Sequence, residues 1–510
     1  MKLKIMVIAA VFVTAITNAV YAARGTDGNV SIIYWQAPSI LNPYLSSGTK
    51  DIESASLVIE PLGRYTETGA LVPFLAEEIP TVANGGVSAD LTSITWKLQK
   101  GLLWSDGTPV TSADVKFSAD YCMDPDGGCS QLAKFDGVKS ISTPDDLTVV
   151  VTFKGPMPNP YGPFMGGQTP IIQKAQFENC MGSKAQQCTE ENFNPIGTGP
   201  FVVTEFRPND VIQYKANENY RDPSKPAFAT LTFKGGGDAT AAGRSVLETG
   251  EFDYAWNLQL APEVIANMEK AGKGVAIAGF GPLVERLEMN MTDPSPSLDA
   301  DTRSTLKAPH PFLTDINVRK ALSMAIDRPL LVEIGYGKAG DVTCDLVPAP
   351  DNYAAKNDYC VKQDIAGANA LLESAGWKKG ADGIRAKDGV RISILYQTST
   401  NAVRQDFQAL IKEWWAQIGV ETELRNLNAS VFFGGDPNSP DTFQKFYADV
   451  EMYANTFDGT DPQSYLSMYR CGNEPNPEKG WQGENINRYC DPKYDALLDE
   501  LARTGDLDKR

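Results

Sequence analysis

An α/β protein divided into two or three lobes is what this sequence specifies. Its first half is rich in strand-like stretches, and its second half alternates amphipathic helices with short strands. Its 510 residues also exceed the size at which a single hydrophobic core stops growing.

The chain opens on a targeting segment. Lys2 and Lys4 give a short basic start, and Ile5 to Val20 is apolar apart from Thr14, Thr17 and Asn18. Small residues around Val20-Tyr21-Ala22 predict signal-peptide cleavage after Ala22. The apolar run is shorter than the roughly 20 residues that cross a bilayer. No cysteine lies near the cleavage point, so a lipoprotein is not expected.

Val30 to Trp35 reads as the first strand, ended by the turn-rich Pro38–Pro43 region. Ile94 to Leu98 alternates apolar and polar residues, as a half-buried strand does. Phe201–Thr204 and Val211–Tyr214 flank Arg207-Pro208-Asn209-Asp210, which predicts a hairpin. Asp315 is placed to cap a helix that buries Val318, Leu322, Ala325 and Ile326. Gly367 to Ala375 forms another helix, closed by Gly376. Val403, Phe407, Leu410, Ile411, Trp414 and Ile418 share one helical face. Gly419 then stops that helix, and a strand follows over Val420–Leu424. Asp491 to Arg510 reads as a last helix carrying Tyr494, Leu497, Leu498 and Leu501.

Loss of residues 1–22 leaves 488 residues and moves the net charge from −18 to −20, since two lysines go with them. That balance argues against a nucleic-acid binder, which needs a basic face. Eight cysteines fall into four close pairs: Cys122 with Cys129, Cys180 with Cys188, Cys344 with Cys360, and Cys471 with Cys490. Eight cysteines allow 105 pairings. Short loops in exposed segments favour sequential pairing in an oxidising compartment. A zinc site is the rival, but the chain has no CxxC and a single histidine, His310.

Enzyme chemistry is thinly supported. A Ser-His or Cys-His arrangement would rest entirely on His310, which sits in the proline-bracketed loop Ala308-Pro309-His310-Pro311. Among 64 acidic residues a glycosidase pair cannot be picked out. Gly235-Gly236-Gly237-Asp238 matches neither a P-loop nor a dinucleotide fingerprint. No catalytic residue, metal or cofactor is called for. Binding is better represented: Tyr34 and Trp35 close a strand where the chain turns, and Trp256 ends Glu251–Trp256.

Four segments resemble the family of bacterial extracellular solute-binding proteins that includes the oligopeptide and dipeptide binders of ABC importers. They are Thr95-Trp96-Lys97 through Trp104-Ser105-Asp106-Gly107-Thr108 to Asp114-Val115; Pro195-Ile196-Gly197-Thr198-Gly199-Pro200-Phe201; Asp315 through Val318-Arg319-Lys320-Ala321-Leu322 to Asp327-Arg328; and Asn487-Arg488-Tyr489-Cys490-Asp491 with Tyr494. They occur in the family's order. Their roles are structural, so they identify a fold rather than a ligand.

The resemblance implies a two-lobed, three-domain periplasmic binding-protein fold of the type II, cluster C kind, with a hinge-closing cleft. Lobe I would combine residues 23–62, about 195–297 and the chain end 490–510; lobe II would span 63–194 and lobe III 298–489. Family members return a further strand to lobe I, so residues 490–510 are expected to be a truncated return. The family's peptide binders pair a lobe III aspartate with the ligand's amine. Asp458-Gly459-Thr460-Asp461-Pro462 is similar to that stretch and carries the role onto Asp458, with Phe457 beside it.

Peptide binders often have tryptophan three residues earlier, where this chain has Asn455, which can hydrogen-bond a peptide backbone or a sugar hydroxyl. Tyr34, Trp35 and Trp256 are the expected apolar walls. Arg404 is a candidate for a ligand carboxylate, with an exposed surface position the more ordinary expectation. The expected protein is a periplasmic monomer that passes its solute to an inner-membrane permease. A binder of oligosaccharides or other non-peptide solutes is the alternative, and a secreted hydrolase a distant third.

Overall fold

The computed structural model describes residues 23–66, 69–235, 237–279, 283–349, 353–455, 461–504 and 508–510. The expected targeting segment lies outside them, as do Phe457 and Asp458. No described helix is long and apolar enough to cross a membrane.

Three sheets organise the chain. The first has five strands in the order Tyr254–Trp256, Asn29–Tyr34, Thr230–Gly235, Val211–Ala216 and Phe201–Arg207. The predicted hairpin is its edge, longer than read from sequence. Asn209 takes a positive φ of 63° in its turn, a conformation that asparagine tolerates. A bulge lies between Val203 and Glu205.

The second sheet pairs Ser93–Lys97 with Thr148–Phe153 and that strand with Val138–Asp145. Ile94 and Trp96 on one of its faces are fully buried, as the alternation predicted. One continuous apolar core fills the first two sheets, from Tyr34 and Leu41 through Trp96 and Trp104 to Phe233.

The third sheet is separate in sequence and in core. Its order is Val284–Met289, Val450–Asn455, Ser393–Ser399, Glu421–Leu427. Ser393–Ser399 and Glu421–Leu427 run parallel, joined by the helix Ala402–Gln417. That helix buries Val403, Phe407, Ile411, Trp414 and Trp415, and Gly419 ends it at a φ of 82°. Asp315 caps Ile316–Met324 through the Asn317 amide, and Asp364 caps Ile365–Ser374 through the Gly367 amide. The last helix is shorter than expected, Pro492–Arg503 capped by Asp491. All four sequential disulfides form: Cys122–Cys129, Cys180–Cys188, Cys344–Cys360 and Cys471–Cys490.

The family-like segments are structural joints. The Trp104–Gly107 turn meets the Gly197 turn through a Ser105 amide donating to the Gly197 carbonyl at 2.9 Å. Asp327 caps the helix Arg328–Gly335, while Arg328 donates to the Ser323 and Cys360 carbonyls. Arg488 is 1% exposed and donates to the Ser304, Gln444 and Lys445 carbonyls. His310 is equally structural. Its Nδ1 accepts the Leu313 amide at 2.9 Å, so its proton sits on Nε2, 2.9 Å from Asp449 Oδ1.

Candidate functional site

The first two sheets face the third across a seam, and the seam is where the backbones come closest. A Cβ on Gly435 would lie 2.8 Å from the Leu45 carbonyl oxygen, and one on Gly128 would lie 2.9 Å from that of Lys479. Ser130 Oγ donates across the seam to Gln482 Oε1 at 2.7 Å, and Gln463 Nε2 contacts Met157 Sδ at 3.2 Å.

Within this seam is a small cavity of about 30 Å³, room for a water or two rather than for an extended solute. Ser47, Gln131, Lys134 and Gln168 line one side; Asn455, Tyr465, Met468 and Glu484 are on the other, with Phe443 and Ile486. A broader groove of about 770 Å³ runs between the same bodies, past Leu45, Gly128, Val431, Gly435 and Gln482.

Each polar wall is fixed locally. Gln131 follows the Cys122–Cys129 disulfide. Its Nε2 donates to the Pro43 and Ser46 carbonyls, at 3.2 and 3.0 Å, which pins the loop carrying Ser47 and aims Oε1 inward. Asn455 ends the strand Val450–Asn455, opposite Val284. Glu484 lies in the loop closed by Cys471–Cys490. There the Glu484 amide donates to the Asn473 carbonyl at 3.1 Å, and Asn485 Nδ2 donates to the Tyr489 carbonyl at 2.7 Å.

Among the described residues, four oxygens on these walls are shielded from solvent and find no hydrogen-bond donor: Ser47 Oγ, Gln131 Oε1, Gln168 Oε1 and Glu484 Oε2. Buried polar atoms are nearly always paired, with protein, ordered water or a ligand, so four around one cavity mark a place for a polar guest. Burial pushes the Glu484 carboxyl up to about 8, with Asp136 adding to the shift. Lys134 and the Ala133 amide pull the other way without cancelling it. Burial also raises Asp136 to about 6, against the pull of Arg470 and Lys154. Its side chain keeps 38% exposure, so solvent blunts that effect.

Of the residues singled out from sequence, Asn455 lines the cavity. Tyr34, Trp35, Trp256 and Arg404 do not. Trp35 is 2% exposed beneath the helices Ala239–Leu247 and Pro262–Glu269, and its Nε1 donates to the Asn257 carbonyl. Tyr34 points to the opposite face, stacks on Trp256 at 5.0 Å, and donates its hydroxyl to Glu53. Both rings are core because their sheet is covered on both sides. Arg404, expected at the surface, is 2% exposed. Its donors go to Glu285 (3.0 and 3.1 Å) and Ser399 Oγ (2.7 Å).

Comparison with known proteins agrees with this architecture. Residues 70–476 match the model of bacterial extracellular solute-binding proteins, family 5. The chain belongs to that family. Protein XP55 of Streptomyces lividans is 30% identical over 404 residues, which cover 78% of this chain and 67% of that protein. The glutathione-binding protein GsiB of Shigella boydii is 24% identical over 76% of this chain and 67% of its own length. Among solved structures, the oligopeptide-binding protein AppA of Bacillus subtilis, in complex with a nonapeptide, superimposes with a TM-score of 0.75 at 21% identity. That superposition covers 96% of this chain and 89% of AppA.

As a family 5 member the chain is an extracellular solute-binding protein with the two-lobed fold. The cavity lies in the seam between the first two sheets and the third. Ser47, Gln131, Gln168 and Glu484 escaped sequence reading because each comes from a different loop. The one local signal was a disulfide enclosing or adjoining a polar loop, at Gln131 and Glu484.

Proposed function

We propose that this protein captures a peptide, or a related amine-bearing solute, by closing its lobes around it. It then presents the closed form, as a periplasmic monomer, to an ABC permease in the inner membrane. The observation that carries this reading is the set of solvent-shielded acceptors facing one cavity between the lobes. A solute that brings a compact N–H donor group to such a wall satisfies it; an apolar solute leaves it unpaired. The peptide-binding relative AppA and the glutathione-binding relative GsiB support the same class.

Lobe I in this proposal is 23–62, 195–297 and 490–510, lobe II is 63–194 and lobe III is 298–489. Asp458, three residues beyond Asn455, is the proposed partner of the ligand's amino terminus. A carboxylate in a water-poor cleft holds an ammonium well. No step of chemistry on the solute is required.

A thermal-shift screen of the mature chain against di- to pentapeptides and neutral oligosaccharides tests this. A ligand at 100 times its Kd stabilises the folded state by about 2.7 kcal/mol. Peptides should raise Tm, with the effect lost on N-acetylation or in Asp458→Asn. Stabilisation by neutral sugars alone would replace the peptide reading with the oligosaccharide one.

A further inference from the structure

We infer that the cavity at Ser47, Gln131, Gln168 and Glu484 is a subsite for a primary ammonium distinct from the ligand's amino terminus, so that the preferred solute carries a lysine-like side chain. This deepens the proposed peptide reading and rests on it. Gln131 Oε1, Gln168 Oε1 and Glu484 Oε2 are acceptors that lack donors, and Ser47 Oγ can accept as well. Gln131 is 1% exposed, and its amide is oriented by the two carbonyls that its Nε2 holds. Its unpaired oxygen therefore faces the cavity by construction.

The occupant's chemistry follows from number and space. About 30 Å³ admits a group the size of a water or two. Three amide N–H groups from separate peptide units do not fit there. One ammonium does, and it brings three donors on one centre. A guanidinium brings five donors in a wider planar fork, so lysine is favoured over arginine.

Local charges leave room for that cation. Arg470 pairs with Asp499 at 2.8 Å and reaches Asp136 at 3.7 Å, so Glu484, on ionising, is the carboxylate that meets an incoming ammonium, with Lys134 also acting on it. Lys154 and Asp495 act more weakly, through Asp136.

A proton signature accompanies binding. Glu484 without a cation holds its proton up to about pH 8, and an ammonium favours the ionised form. Binding below that pH therefore releases a proton. Affinity rises with pH from the lowered pKa of the complex toward about 8, above which loss of the peptide's own α-ammonium proton opposes it.

Titration calorimetry on the mature chain would use Ala-Ala-Ala, Ala-Lys-Ala, Ala-norleucine-Ala and Ala-Arg-Ala, N-acetyl-Ala-Lys-Ala, and cadaverine. Each would be run at pH 7 in buffers of different ionisation enthalpy. Charge-assisted hydrogen bonds predict that the lysine peptide binds at least about tenfold more tightly than its norleucine analogue, with proton release. Glu484→Gln, which keeps the side chain's shape, should bring the lysine and norleucine peptides to equal affinity within that variant and remove the proton release. Gln168→Leu should weaken the preference, and Asp458→Asn should weaken all free-amine peptides together.

Equal affinity for the lysine and norleucine peptides overturns the inference. So does a lysine preference that persists in Glu484→Gln. If no peptide binds, the peptide reading falls by itself. Cadaverine binding that depends on Glu484 then supports the ammonium subsite, and its absence removes that too.

Discussion

Glu285→Ala is expected to cost about 3–5 kcal/mol of folding stability, because it strands a buried guanidinium. Arg404 is 2% exposed, and two of its three donor groups go to the two Glu285 oxygens. Tyr336 and Gln259 also donate to Glu285 Oε2, at 2.9 and 3.2 Å. One truncation therefore leaves a charge and two polar groups short of a partner. Gln259 in turn accepts from Asn401 at 2.7 Å, which ties the Asn257–Leu260 segment to the helix that carries Arg404.

Pairing Glu285→Leu with Arg404→Met should recover most of the loss, since apolar replacement of a whole buried pair is often neutral. Urea denaturation of the parent and the two variants decides it. A loss below about 1 kcal/mol in Glu285→Ala would mean that water reaches Arg404 and screens it as at a surface.

Arg404 also illustrates what the sequence made visible and what it hid. The helix Ala402–Gln417 was legible because apolar residues recur at helical spacing, and the hairpin at Phe201–Ala216 because a turn tetrapeptide separates two β-rich runs. The same helical wheel puts Arg404 and Gln408 on the face of Ile411 and Trp415, and both are buried. That placement was readable. Glu285, the partner that makes it tolerable, lies over a hundred residues away with no local mark.

Tyr34 and Trp35 are buried away from the cavity for a different reason. Adjacent strand residues point to opposite faces, and a strand covered on both faces buries both. The cavity was hidden almost entirely. Its walls come from loops near Ser47, Gln131, Gln168 and Glu484, polar side chains that in isolation look like any solvated loop. Only their convergence, with oxygens left unpaired, distinguishes them. The cysteines were legible because short sequential loops leave few geometries, and two of the four bridges steady the loops of the cavity.

Gly197 carries the other large expectation. In sequence the segment Gly197-Thr198-Gly199-Pro200 read as a turn with glycines for tight geometry, and the structure gives the reason as close approach. A Cβ on Gly197 would sit 1.9 Å from the Val58 carbonyl oxygen, far inside van der Waals contact, and against backbone that has no side-chain freedom to yield. The neighbouring Gly199 amide donates to that same carbonyl at 2.7 Å, and the Phe201 amide to Leu57 at 3.1 Å. Thr198 Oγ1 donates to Glu60, which Arg221 holds at 2.5 and 3.1 Å.

Gly197→Ala therefore forces the two segments apart where the chain returns from the second sheet to the first, and breaks those bonds together. Overpacking of this kind costs about 3 kcal/mol, here with the lost hydrogen bonds added. Gly155→Ala is the control, since a Cβ there would meet no atom within 4 Å, and it should stay within about 0.5 kcal/mol of the parent. Comparable melting temperatures for the two variants would mean that the Val58 segment can move away freely. In that case the joint between the first two sheets is looser than their shared core implies.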